Sequence, residues 1–526
     1  MSQPLDPNPD RAMAPPNGPR RVILNPSPGT ALAAIALVAA SVFALRLTGP
    51  PDLAAGAQSR TATYVQDGLW NGNWICQYDA AGAVMSKPPL HHWLCMLSAA
   101  ALGRIDRLSL SLPSLLTTLA IALLIFAVAR HYFGAEAAVF GAMLYLLSFP
   151  AAKQIALVRP DPTFALAVTG AALCASHAWQ SGRGWIGFWL CATAATLAKH
   201  PLGLLLAGAG LAAIIWERYS GHAAPRLRGP HIPGIALLLV LAGGWLLLAY
   251  RQAGPAVIDK LIGDELVRHA VGGSRNRVPG LGLWRPTAYW LLHFLPWSIL
   301  TCLGLWRVFA RPAAADAVRR FERFTTCWLV LGLALFSVAA SHRADHLLPL
   351  LPAAAILAGR EIVMLRESLP LSVLRPALTG LALFMFGGVG YYYHLHRLDH
   401  PDVQLSTAAA RIARELPLPG ATPLAHVDTH LAVRFYLPGT SMSHDEVADA
   451  LRRGEPIVVT VANIAQLRHH LGEAAAPLYE MAGWPVPGPR QFRIVSNVGG
   501  PGWAPLASAD EDETLEDEPG LPTDAG

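Results

Sequence analysis

The sequence has little charge and few cysteines, and both shortages restrict what the chain is. Charged residues make up 14% of its 526 residues and hydrophobic residues 53%, whereas soluble domains carry about 25% charged residues. The six cysteines lie almost wholly in apolar segments, without the CxxC or Cys/His spacing of a metal site. The sequence therefore predicts an integral membrane protein with neither a disulfide framework nor a structural zinc.

Further absences argue against a nucleic-acid partner, a nucleotide site and a cleaved signal. The net charge of +5 is spread over Arg-bearing loops, so we expect no nucleic-acid partner. No glycine-rich phosphate loop marks a nucleotide site. The first apolar run has no convincing A-x-A cleavage site, which predicts a retained membrane anchor rather than a cleaved signal.

Apolar runs long enough to cross a bilayer, about 17–25 residues, follow one another along most of the chain. Leu90–Leu102 is too short, and we predict a re-entrant or surface helix there. A transmembrane domain is predicted at 29–395, with outer loops at 49–108 and 251–286, after a disordered cytoplasmic tail at 1–28. The eleven predicted spans lie at about residues 30–48, 109–130, 133–150, 161–179, 184–199, 201–218, 233–250, 287–306, 324–340, 346–363 and 372–392.

The basic loops set the orientation, because short cytoplasmic loops carry an excess of Lys and Arg. With Arg20 and Arg21 inside, the densest basic loops also fall inside if Leu90–Leu102 does not cross. An odd number of spans then places the C-terminal part outside. The inner positions are Arg130, Arg183, Arg218, Arg226, Arg228, Arg307 through Arg323, Arg360, Arg366 and Arg375.

Residues 400–500 have the pattern of a small soluble α/β domain, which this orientation places in the periplasm. Short apolar runs alternate there with helical segments, and the acidic tail at 501–526 is expected to be disordered. The expected elements are a helix at Val403–Leu416, strands at Pro423–Val427, Pro456–Val461 and Gln491–Val495, a capping box at Ser443 and Glu446 that opens a helix to Arg453, and a helix from Asn463 to Leu471.

The stretch from Arg60 to Leu90 is the most informative part of the chain. It is a long polar loop between apolar runs, and such loops are usually functional or disordered. Its aromatic residues Trp70 and Trp74 suit a membrane–water interface. Lys87 is followed by two prolines where the chain re-enters apolar sequence. Its ammonium could contact a lipid phosphate, or it could be an interfacial anchor.

Cations recur in the predicted outer loops, against the usual inside bias. Charges near the bilayer are expensive and are often functional, and cations that converge from separate loops suggest a phosphate or pyrophosphate partner. The alternative is scattered snorkelling side chains. The cationic segments are Lys153, Arg159-Pro160-Asp161, Lys199-His200, Arg251–Arg285 and Ser341–His346.

Asp161 stands between two prolines at the start of a predicted span. A helix N-terminus stabilises a carboxylate, so one interpretation is a capping aspartate. The other is a carboxylate that faces an external cavity and acts as a base or orients one. The sequence leaves both open.

Several segments of the first 365 residues carry a recognisable pattern: WNGNWICQYDAAGAVMSKPPLHHWL, LSLPSLLTTL, ALVRPDPTFAL, TLAKHPLGLLL, DELVRHAVGG followed by HFLPWS, and SHRADHLLPLLPAAAILAG. Together they resemble the GT-C glycosyltransferases of the protein O-mannosyltransferase and lipid A aminoarabinose transferase type. They occur in the family's order and spacing from about residue 30 to 365, and the family also ends in a small extracytoplasmic α/β domain.

The resemblance implies a GT-C-like fold of about 11–13 transmembrane helices in a bacterial inner membrane. It also implies a polyprenyl-phosphate-linked sugar donor and a lipid, glycan or protein acceptor at the periplasmic face. Lys87 falls on the family's donor-phosphate lysine and Asp161 on its second-loop aspartate. The other residues implied in donor-phosphate binding are Arg60, Arg159, Arg268, Arg343 and His346.

Two departures from the family pattern bear on catalysis. The acidic pair after the first span is replaced by Ala57-Gln58, and Ser86 stands where a Glu usually precedes the lysine, so we predict no metal and no other cofactor. Asp161 is the first candidate for the missing catalytic carboxylate, Asp52 the second and Asp67 the third, unless the acceptor needs no strong base. The expected function is sugar transfer; the alternatives are a catalytically silent relative that binds polyprenyl phosphate, and a transporter.

Overall fold

The computed structural model describes residues 27–55, 57–264, 282–339, 343–366, 368–415, 422–471, 478–481, 492–499 and 501–506. The chain divides into two compact units. The first unit is Met1–Thr48 with Met85–Tyr391, and the second is Gly49–Val84 with Tyr392–Gly526. The division falls inside the stretch Arg60–Leu90, so Lys87 belongs to the first unit and Arg60, Trp70 and Trp74 to the second.

Helices form all of the regular structure described in the first unit. In chain order the helices of both units are α1 Pro28–Thr48, α2 Gln58–Trp70, α3 Leu90–Leu102, α4 Arg107–Leu147, α5 Phe149–Gln154, α6 Asp161–Ser181, α7 Trp185–Ala198, α8 Leu202–Tyr219, α9 His231–Ala253, α10 Pro255–Ile258, α11 Arg285–His293, α12 Trp297–Ala310, α13 Asp316–Val338, α14 Ala344–Leu365, α15 Leu371–Tyr391, α16 Pro401–Glu415, α17 Leu431–Tyr436, α18 His444–Arg452 and α19 Ile464–Leu471.

Seven helices of the described residues are long and apolar enough to cross a membrane. They are α1, α4, α8, α9, α13, α14 and the run Leu371–His396 that contains α15, and α11 with α12 would make an eighth. The predicted spans at 161–179 and 184–199 form α6 and α7, which do not meet that combined test of length and apolarity. The count of eleven spans therefore stays a prediction. The short helix expected at Leu90–Leu102 is present with those bounds.

Three of the predicted spans differ in form from the helices observed. The span predicted at 287–306 is not one straight helix: α11 and α12, which together could make one span, are bent by 116° to one another. Pro296 lies at this break, where a proline cannot continue the hydrogen bonding of a helix. The spans at 109–130 and 133–150 join in α4, a 41-residue helix that kinks at Gly134, whose φ of 86° is non-helical.

The helices α4 and α14 pack through small residues. A Cβ added to Gly359 of α14 would lie 2.5 Å from the backbone nitrogen of Gly141 and 2.6 Å from the carbonyl oxygen of Ala137. A Cβ on Gly141 would lie 3.2 Å from the carbonyl oxygen of Ala355. Each helix thus presents a small-xxx-small pair to the other, the pattern that lets membrane helices approach backbone to backbone.

Buried ion pairs join the ends of several helices of the first unit. Glu217 of α8 is fully buried and accepts from Arg323 at 2.9 Å and Arg319 at 3.3 Å, both on α13. On α14, Arg360 pairs with the buried Glu322 at 2.9 Å. Arginines that the sequence placed in inner loops, among them Arg319, Arg323 and Arg360, therefore pair with buried glutamates.

The second unit is built on a mixed sheet, and the helices and strands predicted between residues 403 and 495 are present. The expectation of disorder for 501–526 was wrong at Trp503–Pro505, which form a strand. Its strands are β1 Leu424–Val427, β2 Thr440–Ser441, β3 Val458–Val461, β4 Tyr479–Met481, β5 Arg493–Ser496 and β6 Trp503–Pro505. The strand order is β2-β1-β3-β5-β4-β6. Strands β1, β2 and β3 run parallel, and the remaining pairs are antiparallel.

Alternation along β3 places helices on both faces of this sheet. Val459 packs in a core with α18 and α19, whereas Val458 packs in a second core with α16 and α17, as a period of two residues requires. Helix α18 begins with the predicted capping box of Ser443 and Glu446. The side chain of Asn463 accepts a hydrogen bond from the backbone of Gln466 at the start of α19, which confirms the predicted cap.

The loop after α1 is part of this second unit. Ala54 lies in the core that includes α16, and its N–H donates to the Ser406 hydroxyl at 2.8 Å. Gln66 of α2 donates to the carbonyl of Phe435 at 3.0 Å. The sequence-based division assigned this loop to the transmembrane domain, because linear position does not show which core a loop residue enters.

Candidate functional site

Five charged side chains of the first unit form one continuous set of ion pairs, which we call the charge cluster. Lys199 Nζ lies 2.7 Å from Asp161 Oδ1, and Arg159 Nε lies 3.6 Å from Asp161 Oδ2. The terminal nitrogen of Arg159 lies 2.8 Å from Asp345 Oδ2, and Lys153 Nζ lies 2.7 Å from Asp345 Oδ1. Residues separated by up to 192 positions in the chain are thus brought together.

Local helix geometry explains why several of these charges are tolerated. Asp161 is the first residue of α6 and is followed by Pro162, and a helix start favours both a carboxylate and a proline. Lys153 stands in the last turn of α5, and Lys199 follows the last residue of α7. Cations are favoured at helix C-termini, so these ends of α5, α6 and α7 supply complementary charges.

The charge cluster is open at one end and closed at the other. The side chains of Lys153 and Asp345 are 32% and 20% exposed, and that of Arg159 is 18% exposed. Lys199 and Asp161 are only 8% and 6% exposed. Three cations and two carboxylates leave one positive charge in excess, so the cluster can attract a further anion at its open end.

Arg159 is the cation shared by both carboxylates. Burial lowers its pKa, but the negative charges of Asp161 and Asp345 outweigh this effect and raise the pKa above its ordinary value. Its guanidinium is therefore a permanent donor, and it can present several N–H groups to oxygens at once.

Neutral histidines lie beside the charge cluster. His91 of α3 bonds through Nδ1 to the Thr163 hydroxyl of α6 at 3.0 Å, and burial lowers its pKa to about 4. Burial, with the positive charges of Lys199 and Lys87, lowers the pKa of His200 to about 3. These rings are therefore neutral near pH 7 and supply polarity without adding charge.

The predicted site residues fall into three groups. Lys87, Arg159, Asp161, Arg343 and His346 all belong to the first unit. Lys87 is half-buried, and its charge acts on His200, which places it near the charge cluster. Arg343 is exposed and immediately precedes α14. His346 lies in the first turn of α14 next to Asp345, and Asp161 and His346 interact electrostatically.

The second group lies in the other unit. Asp52 is buried, with Oδ2 at 3.5 Å from Arg397, and its carbonyl accepts from Gln58 at 2.8 Å. Arg60 is in the first turn of α2. The third group is Arg268 alone, which lies outside the described residues.

Sequence reasoning did not include three members of the charge cluster among the site residues: Lys153, Lys199 and Asp345. The sequence indicated the two lysines as loop cations and placed Asp345 in the same turn as Arg343. It gave no signal that two carboxylates would hold the cations together, because these contacts depend on packing between α5, α6, α7 and α14. Over the parts of the chain that the structure describes, no group of three or more His, Cys, Asp or Glu residues could hold a metal.

Residues 86–247 match the family model of the dolichyl-phosphate-mannose-protein mannosyltransferases. The structure of ArnT from Cupriavidus metallidurans bound to undecaprenyl phosphate is similar with a TM-score of 0.69, at 18% identity, over 89% of this chain and 97% of that one. The chain has the GT-C fold of the ArnT type. The resemblance inferred from the motifs is thereby confirmed.

Three further similarities cover less of the other protein's length. An oligosaccharyltransferase of Archaeoglobus fulgidus has a TM-score of 0.52 at 12% identity, over 86% of this chain and 72% of that one. An undecaprenyl phosphate-alpha-4-amino-4-deoxy-L-arabinose arabinosyl transferase of Pseudomonas fluorescens is 24% identical over 62% of this chain and 59% of its own. The homologue in Pseudomonas aeruginosa is 24% identical over 58% of this chain and 55% of its own. The chain thus spans between half and two thirds of these curated relatives.

Proposed function

We propose that the chain is an integral membrane glycosyltransferase that moves a sugar from a polyprenyl-phosphate donor to a lipid, glycan or protein acceptor. The excess positive charge of the charge cluster, within a GT-C fold, is the observation that carries this proposal. A sugar leaving a polyprenyl phosphate develops negative charge on the phosphate, and preorganised cations stabilise such charge. The names of the relatives, which include arabinosyl and mannosyl transferases, support the same reaction class.

The roles proposed for individual residues follow from position and exposure. Lys87, Arg159 and Lys153 are accessible enough to meet a phosphate, and Arg343 and His346 lie beside Asp345 at the start of α14. Asp161 is more suited to orienting cations than to accepting a proton, because Lys199 occupies one oxygen and Arg159 faces the other. An acceptor phosphate would need no strong base, whereas a hydroxyl acceptor would need one.

The reaction can be tested directly. The purified chain in lipid nanodiscs would be incubated with polyprenyl-phosphate-linked sugars whose sugar is radiolabelled. Release of free polyprenyl phosphate, together with transfer of label to membrane lipid, glycan or protein, would support the proposal. Binding of polyprenyl phosphate without turnover of any donor would favour the silent relative.

The silent relative is the second candidate, and one feature favours it. Ala57-Gln58 stands where the family has an acidic pair, and the Gln58 side chain is buried with its amide donating to the backbone of Asp52. That position therefore supplies no carboxylate. Transfer would then depend on another acid, or on the cations alone.

Donor binding should depend strongly on Lys87. We expect Lys87→Met to weaken binding of polyprenyl phosphate by about ten- to a hundredfold, because one charge-assisted hydrogen bond contributes about 1.5–3 kcal/mol. Isothermal titration in nanodiscs would measure this. Arg411→Met is the control, since Arg411 is an exposed cation of the second unit, paired with Glu415. Equal affinities of the two variants would remove Lys87 from the site.

The sheet-containing unit is proposed to be periplasmic. The support is the distribution of basic loops and the odd number of spans predicted from the sequence. A reporter that is active only in the periplasm, fused after Val498, should be active, and a cytoplasm-only reporter at the same position should be silent. The opposite pattern would reverse the topology and with it the face from which the acceptor is reached.

A further inference from the structure

We propose that Asp345 is an internal competitor of the donor phosphate, which limits affinity for polyprenyl phosphate and so speeds release of that product. The inference rests on the proposed function and deepens it. Sequence reasoning gave Asp345 no role, and its carboxylate is the negative group at the open end of the charge cluster. Its effect would be on product release rather than on the chemical step.

Both oxygens of Asp345 are occupied by cations. Lys153 Nζ lies 2.7 Å from Oδ1 and 3.0 Å from Oδ2, and Arg159 donates to Oδ2 at 2.8 Å. These are charge-assisted hydrogen bonds, the stronger kind. A carboxylate and a phosphate present the same type of acceptor oxygen, so a phosphate that binds Lys153 and Arg159 has to share or displace these bonds.

Exposure indicates where an incoming anion would meet the cations. Lys153, Asp345 and Arg159 are partly exposed, whereas the pair of Asp161 and Lys199 is closed off. Displacing Asp345 would not release Arg159, because the Nε of Arg159 stays beside Asp161 at 3.6 Å. Asp161 would therefore keep Arg159 in place while Asp345 exchanges with the ligand.

This exchange has a consequence for turnover. Donor and product share the phosphate group, so cations that bind the donor tightly also retain the product. Product release limits many enzymes, and an internal anion that rebinds the cations lowers the affinity for both. Asp345 would thus lower the affinity for the donor and speed the release of polyprenyl phosphate.

The variant Asp345→Asn distinguishes two roles of Asp345: competition with the donor phosphate, and ordering of the cations alone. If Asp345 competes, removal of its negative charge should tighten binding of a short-chain polyprenyl phosphate by about tenfold, which is about 1.4 kcal/mol. Both kcat and KM should fall. If Asp345 only orders Lys153 and Arg159, the same change should weaken binding. Asp345→Glu keeps the charge and should remain close to the wild type.

A second set of variants keeps the inference testable if Asp345→Asn folds poorly. Lys153→Met alone should weaken binding of the polyprenyl phosphate by about tenfold, because it removes a cation. Lys153→Met with Asp345→Asn removes one charge of each sign and should restore an affinity near that of the wild type. A double variant as weak as Lys153→Met would overturn the competition.

Asp316→Asn is the control for a general charge effect, because Asp316 pairs with Arg319 at the start of α13, in a pair outside the charge cluster. Its affinity should equal that of the wild type. Binding to the wild type with unchanged or weaker binding to Asp345→Asn overturns this inference alone. Failure of the wild type to bind polyprenyl phosphate overturns the proposed function, and this inference falls with it.

Discussion

Asp161→Asn is expected to lower turnover of the proposed sugar transfer by about 10²–10³-fold, the usual cost of losing one group of a preorganised electrostatic site. The carboxylate holds Lys199 Nζ at 2.7 Å and faces Arg159 at 3.6 Å. Without its charge the two cations repel one another and lose their arrangement. Binding of polyprenyl phosphate should persist, because the substitution removes a negative charge and no positive one. Single-turnover transfer and equilibrium binding would be measured separately.

Stability must be controlled in this experiment, since Lys199 is buried. Breaking a buried ion pair by removing one partner costs about 3–5 kcal/mol. A double variant, Asp161→Asn with Lys199→Met, removes both charges and should recover folded protein while turnover stays low. Recovery of turnover in the double variant would mean that Asp161 serves only to neutralise Lys199.

The variant Asp52→Asn tests the second candidate for the catalytic carboxylate. Asp52 lies in the second unit and has Arg397 as its ionic partner, so its loss should be milder for transfer than the loss of Asp161. If Asp52→Asn abolishes transfer and Asp161→Asn does not, the catalytic carboxylate is Asp52. If neither change matters in a chain that transfers sugar, catalysis depends on the cations alone.

We expect Gly359→Leu to abolish most of the yield of folded protein. A Cβ at this position meets backbone atoms of α4 at 2.5–2.7 Å, so the two helices would have to separate along their whole contact. Overpacking commonly costs about 1–3 kcal/mol and sometimes more, and backbone atoms cannot move aside as a side chain can. Fluorescence-detected size-exclusion chromatography would measure the amount of monodisperse protein, and a thermal melt its stability.

Gly387→Leu is the matched control for this substitution. Gly387 is also a helical glycine, in α15, and a Cβ there meets nothing within 4 Å. The control variant should accumulate and melt much as the wild type does, because it gains helix propensity without a clash. Similar yields of the two variants would show that α4 and α14 tolerate a wider separation than their contact indicates.

Much of the local structure was predictable because it depends on near neighbours in the chain. The short helix Leu90–Leu102, the capping box of Ser443 and Glu446, and the buried strand β3 all follow from residues within a few positions of each other. The motif resemblance predicted the GT-C fold and five of the residues now found in the first unit. The break at Pro296 was missed because an apolar run was given more weight than its proline.

The sequence by itself determined that this is a helical membrane protein with an α/β C-terminal region, because hydropathy and periodicity are local properties. Only the tertiary structure decided which residues form the charge cluster: Lys199 and Asp161 are 38 positions apart, and Lys153 and Asp345 are 192 apart. It also decided that the loop after α1 packs in the core of the second unit. Ion pairing and burial between distant segments depend on how helices approach each other, and at Gly141 and Gly359 that approach is set by the absence of two side chains.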